Sequence, residues 1–359
     1  MRIKKPSAKI ETRVFYKEVL VVAEGIKLAI VGATGAVGQE MLQIMEQRKL
    51  KIKELLCLAD PREAGSKVNF AGEELTVQAA SNDVFKWADV AMFAVGTDIS
   101  KQLIPQAVAN DCVAIDNSYA FRLDDNVPLV VPEVNPEDVV WHKGIIANPN
   151  CSTIIMVVAI NPIHQAAGLK RVVVSTYQAV SGAGKAGLDE LDQHVKAHID
   201  GSEPVLEVFQ HPIAFNLIPH IDVFVEEDYT REEMKMVWET RKIMHAPELK
   251  IAATAVRVPI YRSHSESINL ETQEPLSAAR AREILSQAPG IVVQDDPHNN
   301  QYPMPFFTSN RDEVFVGRIR RDISTDNGLA IWVAADQIRK GAATNTVQIA
   351  ELVIEKNLY

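Results

Sequence analysis

Apolar positions first fall into a regular pattern at Ile26. The run "IKLAIVGATGAVGQEMLQIMEQRKL" reads as a short apolar strand, a glycine-rich turn and a helix with Met41, Leu42, Ile44 and Met45 available for a buried face. "KELLCLAD" follows as a second strand, so strand, turn, helix and strand make a βαβ unit. "ADVAMFAVG", "DCVAIDNS" and "HKGIIANPN" supply further strands, with the helical "ISKQLIPQAVAN" between the first two. This alternation predicts an α/β fold with a Rossmann-like, doubly wound parallel sheet over residues 26–150.

After Cys151 the pattern changes. "KRVVVSTYQAVSGAG", "IAFNLIPHIDVFV", "ELKIAATAVRVPI", "SESINLET" and "DEVFVGRIRRDISTDNGLAIWVAADQ" are rich in β-branched residues, and Asp326-Asn327-Gly328 is a hairpin turn signal. Helices are expected around Thr230 to His245 and around Ser277 to Ala288. Residues 151–335 therefore read as an α+β domain with a mixed or antiparallel sheet. The closing stretch, residues 336–359, reads as an amphipathic helix that packs back on the first domain. Residues 1–25 mix Lys and Arg with Glu11, Glu18 and Glu24 and build no apolar segment of secretory type, so an extension is expected there.

Composition narrows the partners. At 359 residues the chain is too long for one comfortable core, in keeping with two domains. Lys plus Arg number 37 against 47 Asp plus Glu, a net charge of −10 with no long basic run, which argues against nucleic acid and anionic membrane as partners. The longest apolar runs, such as Ile154 to Ile160, are too short to span a bilayer. Three widely separated cysteines, Cys57, Cys112 and Cys151, form neither a disulfide framework nor a metal grouping and point to a reducing, cytoplasmic setting.

Gly32, Gly35 and Gly38 form G-x-x-G-x-x-G between a strand and a helix, where backbone amides and the helix N-terminus can meet a pyrophosphate. The spacing is one residue longer than the commonest dinucleotide fingerprint. At the end of the second strand, "LADPREAGSK" is placed to inspect an adenosine ribose. Asp60 would accept from a 2′-hydroxyl and favour NAD, whereas Arg62 would hold a 2′-phosphate and favour NADP. The sequence offers both. Cys57 and Cys112 lie in strand-like runs and read as small buried hydrophobes. Cys151 differs, because it follows an Asn-Pro-Asn turn and opens a helix whose N-terminus would favour a thiolate, with Asn150 and Ser152 as local donors. A nucleophilic thiol needs a basic partner. His194 and His198, at i and i+4, lack a third ligand and read as a solvated helix face. His264 follows a strand and is flanked by Ser263, Ser265 and Glu266, candidates to orient its ring.

Taken together, "GATGAVGQEM", "DNS" with Arg122, "VPLVVPEVN", "NPNCST", "STYQAVSGAG", "HPIAFNLIPHIDVF", "EEMKMVWET", "ATAVRVPI" with "SHSES", and "FVGRIRRD" resemble, in chain order from residue 26 to 359, the aspartate-semialdehyde dehydrogenase family. The resemblance implies reductive dephosphorylation of L-aspartyl 4-phosphate to L-aspartate 4-semialdehyde with NADPH, or the reverse, on the route to lysine, threonine, methionine and diaminopimelate. It implies Cys151 as nucleophile through a thioester, His264 as general acid and base, and Gln178 as a positioning group. Arg257 would fork onto the substrate's α-carboxylate, Glu232 would accept from its α-amino group, and Arg122 and Lys235 would bind phosphate. Glu232 and Lys235 also fit an exposed ion pair three residues apart on a helix.

For the cofactor, the resemblance implies contacts from Gly32, Thr34, Gly35, Ala36, Val37, Gly38, Asp60, Arg62, Ser181, Gly182 and Gln337, with no metal. Inorganic phosphate and a small amino-acid substrate are the implied ligands, and a homodimer or homotetramer through the second domain is the implied assembly. Asp60 is a departure, because NADP-using members often carry a small hydroxyl residue there, so NAD stays open beside NADP. The segment between "HVKAHIDG" and "HPIAFN" is shorter than usual. Two other readings remain: N-acetyl-γ-glutamyl-phosphate reductase, and a dinucleotide-binding regulator without catalysis, whose mark would be loss of the cysteine, histidine or arginine.

Overall fold

A computed structural model describes residues 20–21 and 25–359. The extension expected over residues 1–25 lies, Leu20, Val21 and Gly25 excepted, outside the described residues. In the first domain β1 (Ile26–Val31), α1 (Ala36–Arg48), β2 (Ile52–Ala59), β3 (Gln78–Ala79), β4 (Val90–Phe93), α2 (Thr97–Val108), β5 (Val113–Asp116) and β6 (Ile145–Ala147) follow one another. The strand order is β3-β2-β1-β4-β5-β6, every pair parallel, with Leu20–Val21 adding a short antiparallel edge on β2. The order reverses between β1 and β4, where such sheets open a crevice beyond their carboxyl ends. β4 and β5 are buried along their whole length because helices cover both faces of the sheet.

The second domain contains α3 (Cys151–Ala167), β7 (Leu169–Gln178), α4 (Gly184–Asp200), α5 (Arg231–Ile243), β8 (Lys250–Arg257), β9 (His264–Thr272), α6 (Ala278–Gln287), β10 (Ile291–Val293), β11 (Val314–Arg321) and β12 (Gly328–Ala335), after which α7 (Thr344–Glu355) returns to the first domain. Its six strands run β8-β7-β9-β12-β11-β10 as a mixed sheet, parallel at β7·β8 and β10·β11 and antiparallel elsewhere. Asn327 and Gly328 close the β11–β12 hairpin. α3 is apolar nearly all round, as a helix must be when its surroundings are core on every side: Ile154, Ile155 and Val158 share one cluster with Val174 of β7, Ile268 of β9, Val333 of β12 and Met236 of α5. On the first sheet, Val347, Ile349 and Val353 of α7 join Met41 and Met45 of α1 and Ile30 of β1, while Ile104 and Ala107 of α2 cover the opposite face with Ala29 and Val31. No helix among the described residues is long and apolar enough to cross a membrane.

Three local expectations fail, each for a physical reason. "IAFNLIPHIDVFV" makes no strand, only bridges at Ile218 to Arg257 and Phe224 to Thr230. Pro212 and Pro219 lack N–H donors, and Phe215 and Asp222 turn left-handed at φ 58° and 70°, so the run cannot stay extended. His194 is not on a solvated face: it is only 2% exposed, its Nε2 lies 2.8 Å from Val205 O, and its Nδ1 accepts from Ile213 N–H at 3.1 Å. The irregular segment has buried backbone groups that no ladder satisfies, and the imidazole supplies partners. His198 rests on the Phe215 ring at 4.6 Å. The closing helix begins only at Thr344, after a π-helical turn at Arg339–Ala343.

Candidate active site

α3 starts where it does because Asn150 caps it. The Asn150 side-chain oxygen accepts from the amides of Ser152 at 3.1 Å and Thr153 at 3.3 Å, which leaves Cys151 at the first helical position. Asn150 therefore gives the thiol no donor; its Nδ2 donates instead to Glu232 Oε1 at 3.0 Å. Ser152 is buried, and its hydroxyl finds no partner among the described residues. Cys151 stays partly exposed, while Cys57 and Cys112 are buried. On the far side of Cys151 lies the π turn, where a Cβ at Gly341 would fall 2.9 Å from the Cys151 Cβ.

His264 opens β9, and its Nε2 lies 3.5 Å from Cys151 Sγ. Its Nδ1 accepts from Ala179 N–H at 3.0 Å, which assigns the ring proton to Nε2 and points it at sulfur. The flanking side chains make no hydrogen bond to the ring: Ser263 Oγ bonds Thr308 Oγ1, and Ser265 Oγ and both Glu266 oxygens have no partner among the described residues. Burial, with Arg257 adding, pushes His264 down to about 3, so the imidazole is neutral at ordinary pH. Burial and then Glu232 push the Cys151 thiol up to about 12 against the pull of Arg122, Arg257 and Lys235.

Gln178, at the end of β7, is fixed by Thr176 Oγ1, which donates to its Oε1 at 3.0 Å. The amide nitrogen then faces the site, donating to Glu232 Oε1 at 3.1 Å and lying 3.5 Å from His264 Nε2. Glu232 is buried rather than part of an exposed pair, and Lys235 Nζ reaches its Oε2 at 3.0 Å and Asp222 Oδ2 at 2.9 Å. Burial opposes the Glu232 charge, yet Lys235, Asn150 and Gln178 together hold the carboxyl below its usual range. Arg257 ends β8 buried; its Nη1 donates to Ala179 O at 2.8 Å, and a Cβ on Gly182 would stand 2.8 Å from that same nitrogen. Arg122 is buried too, donating to Asn117 O at 2.7 Å, Asn148 O at 2.9 Å and Glu239 Oε1 at 3.1 Å.

Sequence reasoning missed four partners: Asn150 as the link to Glu232, Asp222, the Ala179 peptide and Glu239. Glu239 bridges Arg122 and the Asn150 amide, the latter at 2.6 Å. A signal for Glu239 exists. Glu232, Met236, Glu239 and Ile243 fall at i, i+4, i+7 and i+11 on α5, so two acids occupy the stripe that its apolar residues mark as buried.

The glycine-rich turn lies apart from the thiol, at the switch point of the first sheet. Gly32 takes φ 91°, and a Cβ there would lie 2.4 Å from Ala94 O at the end of β4; one on Gly38 would lie 2.2 Å from Gly32 O. Only hydrogen fits, so the strand end and helix start meet closely. Thr34 and Gly35 shape the turn, and the amides of Ala36, Val37 and Gly38 have no intrahelical acceptor, with no acid in this first turn. Beyond β2, Arg62 grips Asp60 with Nε at 2.8 Å and Nη2 at 3.0 Å, and these bonds hold the Asp60 carboxyl at about 2. Glu63 accepts from Thr34 Oγ1 at 3.0 Å. Ser181 and Gln337 sit between the two regions, joined at 2.6 Å.

Comparison with known proteins identifies the family. Residues 27–142 match the family described as semialdehyde dehydrogenase, NAD binding domain, and residues 160–340 that described as semialdehyde dehydrogenase, dimerisation domain. An aspartate-semialdehyde dehydrogenase of Aquifex aeolicus is 54% identical over 338 residues, 93% of this chain and 99% of that protein. The crystal structure of aspartate semialdehyde dehydrogenase II from Vibrio cholerae complexed with ASA superposes with a TM-score of 0.90 at 43% identity, covering 93% of this chain and 99% of that one. An aspartate semialdehyde dehydrogenase with NADP from Candida albicans superposes with a TM-score of 0.73 at 25% identity, covering 94% of this chain and all of that one. On the motifs, the fold and these matches, the chain belongs to the aspartate-semialdehyde dehydrogenase family.

Proposed function

We propose that this enzyme interconverts L-aspartyl 4-phosphate and L-aspartate 4-semialdehyde through a thioester on Cys151. The observation that carries the reading is the pair of Cys151 Sγ and His264 Nε2 at 3.5 Å, with Glu232 and Arg257 on either side. Sulfur attacks the acyl carbon as its proton passes to the departing phosphate oxygen, the C–O bond to phosphate breaks, and inorganic phosphate leaves past Arg122 and Lys235. The thioester carbonyl is then reduced, and the resulting thiohemiacetal oxyanion expels the thiolate to give the aldehyde. His264, neutral and protonated on Nε2, donates a hydrogen bond to sulfur and to the oxyanion. Glu232 is the largest charged influence raising the thiol, so a substrate ammonium seated on it removes that influence and favours the thiolate. Arg257 faces the α-carboxylate, and Gln178 holds the acyl group beside the thiol.

A dinucleotide fits the glycine-rich cradle, whose width only hydrogen at Gly32 and Gly38 allows and whose free amides match a pyrophosphate. Gly32, Thr34, Gly35, Ala36, Val37 and Gly38 would hold that group, Asp60 and Arg62 the ribose, and Ser181, Gly182 and Gln337 the nicotinamide end. When bound it supplies or accepts the hydride. NADP is the cofactor we favour, because the Arg62 guanidinium is largely exposed and planar; NAD is the second reading, favoured by the two bonds that tie Arg62 to Asp60. The dimerisation-domain match supports assembly of two or more copies through the second domain.

The test is cofactor reduction by purified protein given L-aspartate 4-semialdehyde, with and without phosphate. Phosphate-dependent reduction is expected, faster with NADP. Reduction that ignores phosphate would refute the acyl-phosphate step.

A further inference from the structure

Ser263, one residue before His264, has φ 73°, a conformation that non-glycine residues rarely adopt. Several contacts hold it there. Its N–H donates to Gln337 Oε1 at 2.8 Å, and its hydroxyl is 2.6 Å from Thr308 Oγ1. Just before it, Arg262 grips two carboxylates, Asp336 Oδ2 through Nε at 2.5 Å and Glu40 Oε2 through Nη2 at 2.8 Å. Asp336 is itself fixed by the amides of Asn310 at 2.6 Å, Ile338 at 2.9 Å and Arg339 at 3.1 Å. The other Glu40 oxygen takes Arg339 Nη1 at 2.7 Å.

Glu40 stands on α1, two residues past Gly38, so a carboxylate of the dinucleotide-binding helix receives Arg262 of the second domain and Arg339 of the π turn before α7. The reaction proposed above uses none of these three residues. Buried and half-buried ion pairs return little net stability, because the desolvation of the charges offsets their attraction, but they do fix register. Here the register fixed is that of the loop that aims His264.

We infer that Arg262, anchored on Glu40 and Asp336, is a positioning residue for His264: it holds the left-handed Ser263 and so keeps the imidazole on Cys151 only while α1 is docked. The inference rests on Cys151 and His264 being the reacting pair.

Full-length Glu40→Gln, Arg262→Met and Arg262→Lys, with the Glu40→Gln/Arg262→Met double variant, test it. Cys151 is partly exposed while Cys57 and Cys112 are buried, so the rate of its alkylation by iodoacetamide at one fixed pH reports how reactive its sulfur is beside His264. Glu40→Gln and Arg262→Met are each expected to change that rate about threefold or more and to lower kcat about tenfold, with the KM for semialdehyde moving less than about threefold. The double variant should lose less than the two single losses combined, because both changes break the Arg262–Glu40 contact while only Glu40→Gln touches the bond to Arg339 and only Arg262→Met that to Asp336. Arg262→Lys, which keeps the charge but not the two-sided grip, should recover part of the loss. Folded variants whose alkylation rate matches the wild type and whose kcat stays within about twofold would overturn the inference and leave the network a structural tie. The near-isosteric Glu40→Gln carries the test if Arg262→Met does not fold. Turnover by wild-type protein with Cys151 fully alkylated would instead strike at the reacting pair itself.

Discussion

Replacing Glu266 by glutamine is expected to make the stability of the fold less sensitive to pH, so that the variant gains on the wild type as pH rises from about 5 toward the folded-state value of the carboxyl. Glu266 lies on β9 between Thr176 of β7 and Val333 of β12, fully buried, and neither carboxylate oxygen has a partner among the described residues. Burial therefore raises its pKa well above the ordinary 4.5. The sign follows from linkage. Below the unfolded-state value both states are protonated and nothing is lost. As pH rises from there toward the folded-state value, the unfolded chain ionises while the folded one cannot, and stability falls by about 1.4 kcal/mol per pH unit. Glutamine, which does not titrate, escapes this loss over the whole of that range.

Urea unfolding of wild type and Glu266→Gln at one fixed protein concentration measures this, because the association contribution is then common to both. The amide's own unsatisfied hydrogen bonds shift the variant by an amount independent of pH, so the readout is the slope of the difference against pH and not its offset. Parallel stability curves would refute the reasoning, showing that the carboxyl is ionised, or partnered, in the folded protein.

Cys151→Ser should fold and bind cofactor yet lose nearly all turnover, since serine supplies no comparable nucleophile at this helix start; retained kcat would move the nucleophile elsewhere. Arg257→Lys should raise the KM for the amino-acid substrate about tenfold to a hundredfold, because one ammonium cannot replace a fork; an unchanged KM would remove Arg257 from the α-carboxylate. Asp60→Ser should free Arg62 from its two bonds and raise the ratio of NADP to NAD kcat/KM about tenfold; an unmoved ratio would show that neither residue reads the ribose.

What could be read from the chain is local. The turn between β1 and α1 was legible because strand, glycines and helix are adjacent, and Cys151 because an Asn-Pro-Asn turn and an apolar helix flank it. What could not be read depends on long-range pairing. Asn150 meets Glu232 across 82 positions and Arg122 meets Glu239 across 117, and no spacing in the sequence encodes either contact. The segment from Ile213 to Val225 misleads for the opposite reason. Its apolar residues alternate as a strand's do at Ile213, Phe215 and Leu217, yet only Ile213 is buried, because the left-handed Phe215 breaks the two-residue period.

Asn150 shows how the parts depend on each other. As the cap of α3 it satisfies amides worth about 1 kcal/mol, which any Ser or Asp would also do. An ionised Asp could not in addition donate to Glu232, whereas the Asn150 amide does, so the residue that starts the helix also ties Cys151 to α5. The Asn150 backbone N–H is taken by Glu239, whose other oxygen holds Arg122 on the loop after β5. The thiol is thus placed from both sides, by α5 of the second domain and by an arginine of the first. A shift of one domain against the other would draw Arg122 and Glu239 with it and disturb the first turn of α3 before it reached the sulfur. In this arrangement the closeness of Cys151 and His264 depends on domain docking at two separate points, Arg122 with Glu239 and Arg262 with Glu40.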